Sequence, residues 1–95
     1  MINSAHAGTL ESSDVYVQIN PIEEDTVEIE LQSSVAELYD DMIEELIRDT
    51  LKEMGVTGIN VHVQDKGALD FVIKARVQAA VFRACGTVPS WEEQS

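Results

Sequence analysis

The sequence contains one cysteine, Cys85, and two histidines, His6 and His62, among its 95 residues. A single cysteine excludes an internal disulfide bond and a zinc site built from paired cysteines, and it is typical of a reduced, cytoplasmic protein. The two histidines are far apart and stand in no His-x-His or Glu-x-x-His motif. We therefore expect no catalytic residue and no metal site in this chain.

Long apolar runs are absent, and basic residues are few. No stretch reaches the ~18 consecutive apolar residues of a membrane-spanning helix, and the first residues lack the basic and apolar regions of a signal peptide. Six Lys and Arg oppose 18 Asp and Glu, which gives a net charge of −12. Such a chain repels nucleic-acid phosphates and anionic membranes, so we expect neither as a partner. It suits partner proteins with basic surfaces.

Three segments alternate apolar and polar residues, which predicts half-buried β-strands. They are centred on Val17, Ile29 and Val61. Pro21 ends the first strand, because proline has no N–H to donate to a neighbouring strand.

Two other segments have apolar residues at helical spacing, and we expect both apolar stripes in the core. The first helix begins at a capping box of Ser34 and Glu37 and ends at Gly55, and the second ends at Gly86. The first stripe contains Val35, Leu38, Tyr39, Met42, Ile43, Leu46, Ile47, Leu51 and Met54. The second contains Leu69, Val72, Ile73, Val77, Ala80, Val81 and Ala84.

These elements predict an α+β fold in one domain, residues 1–95. It is a small two-layer sandwich, with two helices on one face of a mainly antiparallel sheet. An N-terminal hairpin precedes the strand, helix, strand and helix, and its two-residue loop is Ser12-Ser13. In this register Glu11 faces Asp14, Leu10 faces Val15 and Gly8 faces Val17. Residues 1–7 and 87–95 are expected to be loose tails.

The acidic face of the first helix and Cys85 are the first two candidate functional features. The face, which contains Glu37, Asp40, Asp41, Glu44, Glu45, Asp49 and Glu53, is predicted to be solvated, and docking of a basic partner is the alternative. Cys85 lies near a helix C-terminus, away from the helix N-terminal setting that activates a thiol, and is predicted to be a small buried or half-buried spacer.

Arg76 and the pair Ser12-Ser13 are the other candidates. Arg76 interrupts the apolar stripe of the second helix, so it is either a rim residue or the partner of Asp65 or Asp70. No base is placed to activate either serine as a nucleophile. Their predicted position at a hairpin tip makes both hydroxyls accessible to a modifying enzyme.

Several groups of residues, spread over nearly the whole chain, form a recognisable pattern. They are Ala7-Gly8-Thr9-Leu10-Glu11-Ser12-Ser13-Asp14-Val15, Asp65-Lys66-Gly67-Ala68-Leu69-Asp70, Ala75-Arg76, Arg83-Ala84, and Pro89 before Trp91-Glu92. Together they resemble the citrate lyase acyl carrier protein family, the gamma subunit of that complex.

The resemblance implies a carrier subunit that is not itself an enzyme. Ser12 corresponds to the family serine that holds, through a phosphodiester, a phosphoribosyl-dephospho-coenzyme A arm (2'-(5''-phosphoribosyl)-3'-dephospho-CoA). Family members can read Ser-Gly-Asp where this chain reads Ser12-Ser13-Asp14, which makes Ser13 the alternative attachment residue. The implied partners are the alpha subunit, an acyl transferase, the beta subunit, a lyase, and the transferase that attaches the arm. Acetyl and citryl groups would be held on the arm's thiol while citrate is cleaved to oxaloacetate and acetate.

Two alternatives remain open from the sequence. Carriers of citramalate lyase or malonate decarboxylase share the arm and its attachment, so this chain is also compatible with those complexes. The other alternative is an unmodified acidic protein-interaction module. A stand-alone enzyme is not favoured, because these residues do not assemble into a polar pocket.

Overall fold

The computed structural model describes residues 3–33 and 40–86, and within these ranges the predicted order of elements is confirmed. The elements are β1 (Ala5–Gly8), β2 (Val15–Pro21), β3 (Val27–Ser33), α1 (Asp40–Met54), β4 (Ile59–Asp65) and α2 (Asp70–Cys85). The predicted capping box at Ser34 and Glu37 and the predicted C-terminal tail lie outside the described residues. None of the helices in these ranges is long and apolar enough to cross a membrane.

The strands form one mixed sheet in the order β1-β2-β4-β3. The β1–β2 and β2–β4 pairs are antiparallel. β3 and β4 are parallel, because the helix α1 crosses over between them. Two of the three pairings are therefore antiparallel, which agrees with the predicted sheet.

The core lies between one face of this sheet and the two helices. Alternate residues of β2 and β4 point to that face and are buried, as the period-two pattern predicts. The buried apolar residues are Ala7, Val15, Val17, Ile19, Ile43, Ile47, Leu51, Ile59, Val61, Val63, Ile73, Val77, Ala80, Val81 and Ala84. The opposite face of the sheet carries polar side chains, so the helices cover one side only.

The predicted register of the N-terminal hairpin is wrong by one residue. Ala7 pairs with Val17, and Gly8 pairs with Tyr16 rather than Val17. β1 ends at Gly8, and residues 9–14 form a longer connection than the predicted two-residue loop. β1 also begins at Ala5, inside the stretch predicted as a loose tail, because this backbone pairs with the edge of β2.

Two apolar residues of the predicted stripes do not enter the core. Met42 in the first turn of α1 and Leu69 at the N-cap of α2 are both exposed. The C-terminal prediction for α2 is confirmed: Gly86 takes a left-handed φ of 69° and its N–H donates to the Phe82 carbonyl.

Position 8 requires glycine because the backbone carbonyl of Val15 lies very close to it. This contact leads to a prediction about stability. The φ of Gly8 is +89°, and a Cβ at this position would lie 1.8 Å from the Val15 carbonyl oxygen. We expect Gly8→Ala to lower the free energy of unfolding by about 2–4 kcal/mol, from backbone strain and overpacking together. Gly55→Ala is the control, since Gly55 has a φ of +70° but a methyl group added there would meet no atom within 4 Å. It should cost only about 1–2 kcal/mol, and equal losses in urea unfolding would contradict the close-approach explanation.

Candidate functional site

Residues 9–14, here called the serine loop, connect β1 to β2. Its tip is a turn closed by the Asp14 N–H, which donates to the Glu11 carbonyl at 3.1 Å. Ser12 and Ser13 are the two central residues, as predicted. Ser13 has a φ of 66°, a positive value seen at no other non-glycine residue in the described chain. A positive φ at the third position is the feature of a type II turn and favours glycine there.

The serine loop is tied to the turn that follows β4. The Ser13 N–H donates to the Lys66 carbonyl at 2.8 Å, and the Lys66 N–H donates to the Asp14 carbonyl at 2.9 Å. These two bonds extend the β2–β4 ladder beyond its last pair, Val15 and Asp65. The backbone of the loop tip is therefore anchored to the centre of the sheet.

Asp65 holds the turn to which the loop is tied. Its side chain is buried, and its Oδ1 accepts the N–H groups of Gly67 at 3.2 Å and Ala68 at 2.9 Å. Its Oδ2 accepts the Ser33 hydroxyl at 3.1 Å. Because a buried carboxylate needs such partners, Asp65 has a structural role in the support of the serine loop.

Asp14 fixes the other side of the loop. Its Oδ1 accepts the Val15 N–H at 2.7 Å and Arg76 Nε–H at 3.2 Å. Its Oδ2 accepts the Thr9 hydroxyl at 2.7 Å and Arg76 Nη2–H at 3.1 Å. Thr9 Oγ1 in turn accepts the Glu11 N–H at 3.2 Å. Both ends of the loop are thereby joined to α2 through one carboxylate.

This network corrects the prediction for Arg76, which pairs with Asp14 and not with Asp65 or Asp70. The pairing is bidentate, the geometry that a guanidinium and a carboxylate favour. The pKa of Asp14 is lowered from 3.8 to about 2. The hydrogen bond from Thr9 has the largest effect, followed by those from the Val15 N–H and Arg76, and burial acts in the opposite direction. Asp14 is thus a charged structural anchor at neutral pH.

The hydroxyl groups of Ser12 and Ser13 are left free by this scaffold. Both residues are exposed, and neither hydroxyl has a hydrogen-bond partner among residues 3–33 and 40–86. In those same ranges, no group of three or more His, Cys, Asp or Glu side chains is arranged to hold a metal ion. Both serine hydroxyls of the loop are therefore accessible from solvent.

Cys85 and the acidic face of α1 belong to other parts of the molecule than the serine loop. Cys85 is half-buried as the last residue of α2 and packs against the core, as expected for a spacer. On α1, the side chains of Asp41, Glu45 and Asp49 are exposed, which agrees with the predicted solvated face. A docking role for that face stays a prediction.

Comparisons with known proteins show to which class of protein this small domain belongs. The family model described as "Malonate decarboxylase delta subunit (MdcD)" matches residues 2–84. A citrate lyase acyl carrier protein of Haemophilus influenzae (strain PittGG) is 49% identical over 88 residues, which are 93% of this chain and 90% of that protein. The citrate lyase acyl carrier protein of Escherichia fergusonii is 50% identical over 84 residues, which are 88% of this chain and 87% of that protein.

A solved structure has the same fold. One chain in the crystal structure of a Pseudomonas malonate decarboxylase hetero-tetramer in complex with malonate superposes with a TM-score of 0.77. The superposition covers 86% of this chain and 84% of that chain, at 20% sequence identity. At this identity the likeness concerns the fold alone.

This chain belongs to the acyl carrier protein family that includes the citrate lyase acyl carrier proteins. The family predicted from the sequence is confirmed by these relatives. The relatives are named as acyl carrier proteins of citrate lyase, so the prediction of a carrier subunit rather than an enzyme is also confirmed.

Sequence reasoning missed the supporting residues of the site. Thr9 and Asp14 were given no supporting role, and Asp65 was considered only as a partner of Arg76. The structure gives each of the three a hydrogen-bonding role around the serine loop. A usable signal was present, because Asp and Thr next to turns often bond the local backbone.

The Asp14 network predicts a specific dependence of stability on pH. We expect Asp14→Asn to reduce the free energy of unfolding at neutral pH by about 1–2 kcal/mol, through lost charge-assisted hydrogen bonds. The folded-state pKa, about 2, lies below the unfolded value of 3.8. The stabilisation by the carboxylate is therefore complete above the unfolded pKa and is lost as pH falls through the folded pKa.

Urea unfolding of the wild type and Asp14→Asn across acidic pH tests this dependence. Their difference in stability should be constant at neutral and mildly acidic pH and should shrink between pH about 4 and about 2. Glu11→Gln, an exposed neighbour in the same loop, is the control and should change little. A difference that stays constant through this range would contradict the role given to the Asp14 charge.

Proposed function

We propose that this chain is the acyl carrier subunit of a citrate lyase complex and that Ser12 carries the phosphoribosyl-dephospho-CoA arm. The single observation that carries the proposal is the exposed Ser12 hydroxyl, without a partner among the described residues, on a turn whose flanks are anchored by Lys66 and Asp14. The identity to citrate lyase acyl carrier proteins, about half of all aligned positions, supports the choice of complex.

The residues of the serine loop fit a group attached through a phosphodiester. Ser12 would provide the oxygen of that linkage, while the backbone of Ser13 shapes the turn. Arg76 neutralises Asp14, and the exposed Lys66 adds a positive charge beside the loop. This local balance lowers the repulsion that a phosphate would meet on a chain of net charge −12.

The arm, when attached, supplies a terminal thiol on which acyl groups are carried. The chain itself holds the root of the arm in a fixed position and leaves its surroundings open to solvent. The proposed partners are the alpha acyl-transferase subunit, the beta lyase subunit and the enzyme that attaches the arm. A cytoplasmic setting, which the single free cysteine favours, is part of the same proposal.

The second candidate is the carrier subunit of a malonate decarboxylase. It is favoured by the description of the matching family model and by the fold shared with a chain of the Pseudomonas hetero-tetramer. The curated relatives at about 50% identity favour citrate lyase over this candidate. Assembly with purified subunits of each complex distinguishes the two.

Backbone geometry favours Ser12 over Ser13 as the attachment residue. Ser13 occupies the position of positive φ, where family members can have glycine, and its N–H is bonded to Lys66. Its role is therefore explained by the turn. Ser12, at the preceding corner, keeps its side chain without a structural role.

We expect Ser12→Ala to abolish attachment of the arm and all carrier activity, while Ser13→Gly is modified normally. Ser12→Ala should change the free energy of unfolding by less than about 0.5 kcal/mol, because the side chain is exposed. Ser13→Gly should be neutral or stabilise by about 1 kcal/mol, because it removes the left-handed strain. The measurement is intact mass after co-expression with the attachment enzymes, together with urea unfolding.

Ser13→Ala is the matched control, since it removes the second hydroxyl and leaves the first. A variant of Ser12 that still gains the arm, with Ser13→Ala unmodified, would move the attachment to Ser13. Attachment to both alanine variants would reject the serine loop as the site.

A further inference from the structure

Large exposed apolar side chains are concentrated at one end of the molecule. Among the described residues they are Leu10, Met42, Leu69 and Phe71, with 55%, 61%, 62% and 70% of their surface exposed. We call these four residues the apolar patch. Met42 and Leu69 belong to the helical stripes that the sequence predicts as core, and the fold leaves both outside it.

The topology brings the apolar patch to the end of the sheet that carries the serine loop. Leu10 lies in that loop, and Leu69 and Phe71 follow the turn at Lys66 to which the loop is bonded. Met42 lies in the first turn of α1. This helix follows β3, whose last residue, Ser33, pairs with the last residue of β4.

A pocket opens between the first turns of the two helices at this end. Its volume is about 190 Å³, and its lining comprises Met42, Ile43, Asp65, Gly67, Ala68, Asp70 and Ile73. A protein cavity of about 150 Å³ admits a benzene molecule. The pocket is thus large enough to receive one leucine or phenylalanine side chain from another protein.

The charges around the pocket define the kind of surface that fits it. Asp41 and Asp70 are exposed on the first turns of α1 and α2, and Glu45 is exposed on the second turn of α1. Several large exposed apolar side chains at one end of a domain are typical of an interaction site, and charge complementarity selects the partner. A matching surface presents an apolar side chain framed by Lys and Arg, whereas a second copy of this acidic chain would be repelled.

We infer that the apolar patch is the docking surface for a protein subunit of the complex, which inserts an apolar side chain between α1 and α2. Docking there holds the partner beside the root of the arm and leaves the Ser12 hydroxyl uncovered. This inference rests on the proposed function, from which it takes the existence of partner subunits.

Binding of the modified carrier to the purified alpha and beta subunits tests the inference. We expect Phe71→Ser and Leu69→Ser each to weaken binding by about tenfold or more, because each removes a large exposed apolar side chain beside the pocket from the docking surface. Phe71→Leu keeps an apolar side chain and should bind nearly as the wild type does. Urea unfolding should be unchanged in the two Phe71 variants, because this side chain is exposed and its loss leaves the core intact. Leu69→Ser places a capping hydroxyl at the N-cap of α2 and should be at least as stable as the wild type, so weaker binding in these variants cannot come from unfolding.

The exposed acidic residues around the pocket allow a second, independent test. Asp70→Asn should weaken binding at low salt and reduce its dependence on salt concentration. Glu23→Gln, which removes one exposed charge in the loop after β2 at the far end of the sheet, should leave both unchanged. Equal effects of the two variants would contradict a local docking surface.

Other outcomes overturn the inference in distinguishable ways. If Phe71→Ser binds the subunits as the wild type does, the apolar patch is not their docking surface. If this variant binds the subunits normally but no longer receives the arm, the patch is the docking surface for the attaching enzyme instead. A wild-type dimer in sedimentation that Phe71→Ser dissociates assigns it to self-association. Absence of the arm on the wild type, read from intact mass, rejects the proposed function and not the docking surface.

Discussion

Each oxygen of the Asp14 carboxylate accepts two hydrogen bonds, and the geometry of the serine loop depends on these four contacts. Asp14 joins Thr9 at the start of the loop, Val15 at the start of β2 and Arg76 on the outer helix layer. A six-residue connection without such a centre would keep much of its conformational freedom. The carboxylate therefore converts an exposed loop into a fixed support.

The second anchor comes from the backbone of Lys66. Its N–H and carbonyl pair with the loop tip and continue the ladder of the central strand, while Asp65 fixes the turn below it. A third contact holds the strand β1 that precedes the loop: the Arg83 Nη1–H donates to the His6 carbonyl at 2.8 Å. The residues of these sequence motifs thus hold the backbone of the serine loop in place.

Much of the fold could be predicted because the burial of one face makes apolar residues recur at a regular spacing in each strand and helix. Strands β2 and β4 are covered on one face, so their apolar residues alternate, and α2 stops where Gly86 takes a left-handed conformation. The register of β1 could not be predicted in this way, since Ala7 and Gly8 are both small. The choice depends on the close approach of Gly8 to the Val15 carbonyl, which no periodicity records.

The site could be predicted only in part, because it depends on contacts between residues that are far apart in the sequence. Arg76 and Asp14 are 62 residues apart in sequence, and acids closer to Arg76 along the chain were equally suitable until the fold excluded them. The serines themselves were identifiable, because their motif resembles that of a known family. Helical spacing also cannot tell an apolar residue that enters the core from one, such as Met42 or Leu69, that the fold leaves exposed.

The fixed turn accounts for the division of roles between its two serines: one residue adopts the left-handed conformation, and the other presents its hydroxyl. Peptide mapping of the wild-type protein from its native host tests this division most directly. Cleavage after Glu11 produces a peptide that begins at Ser12, and fragmentation then locates the modified residue. The account predicts the mass of the arm on Ser12. A peptide modified on Ser13, or an unmodified peptide from an active complex, would contradict it.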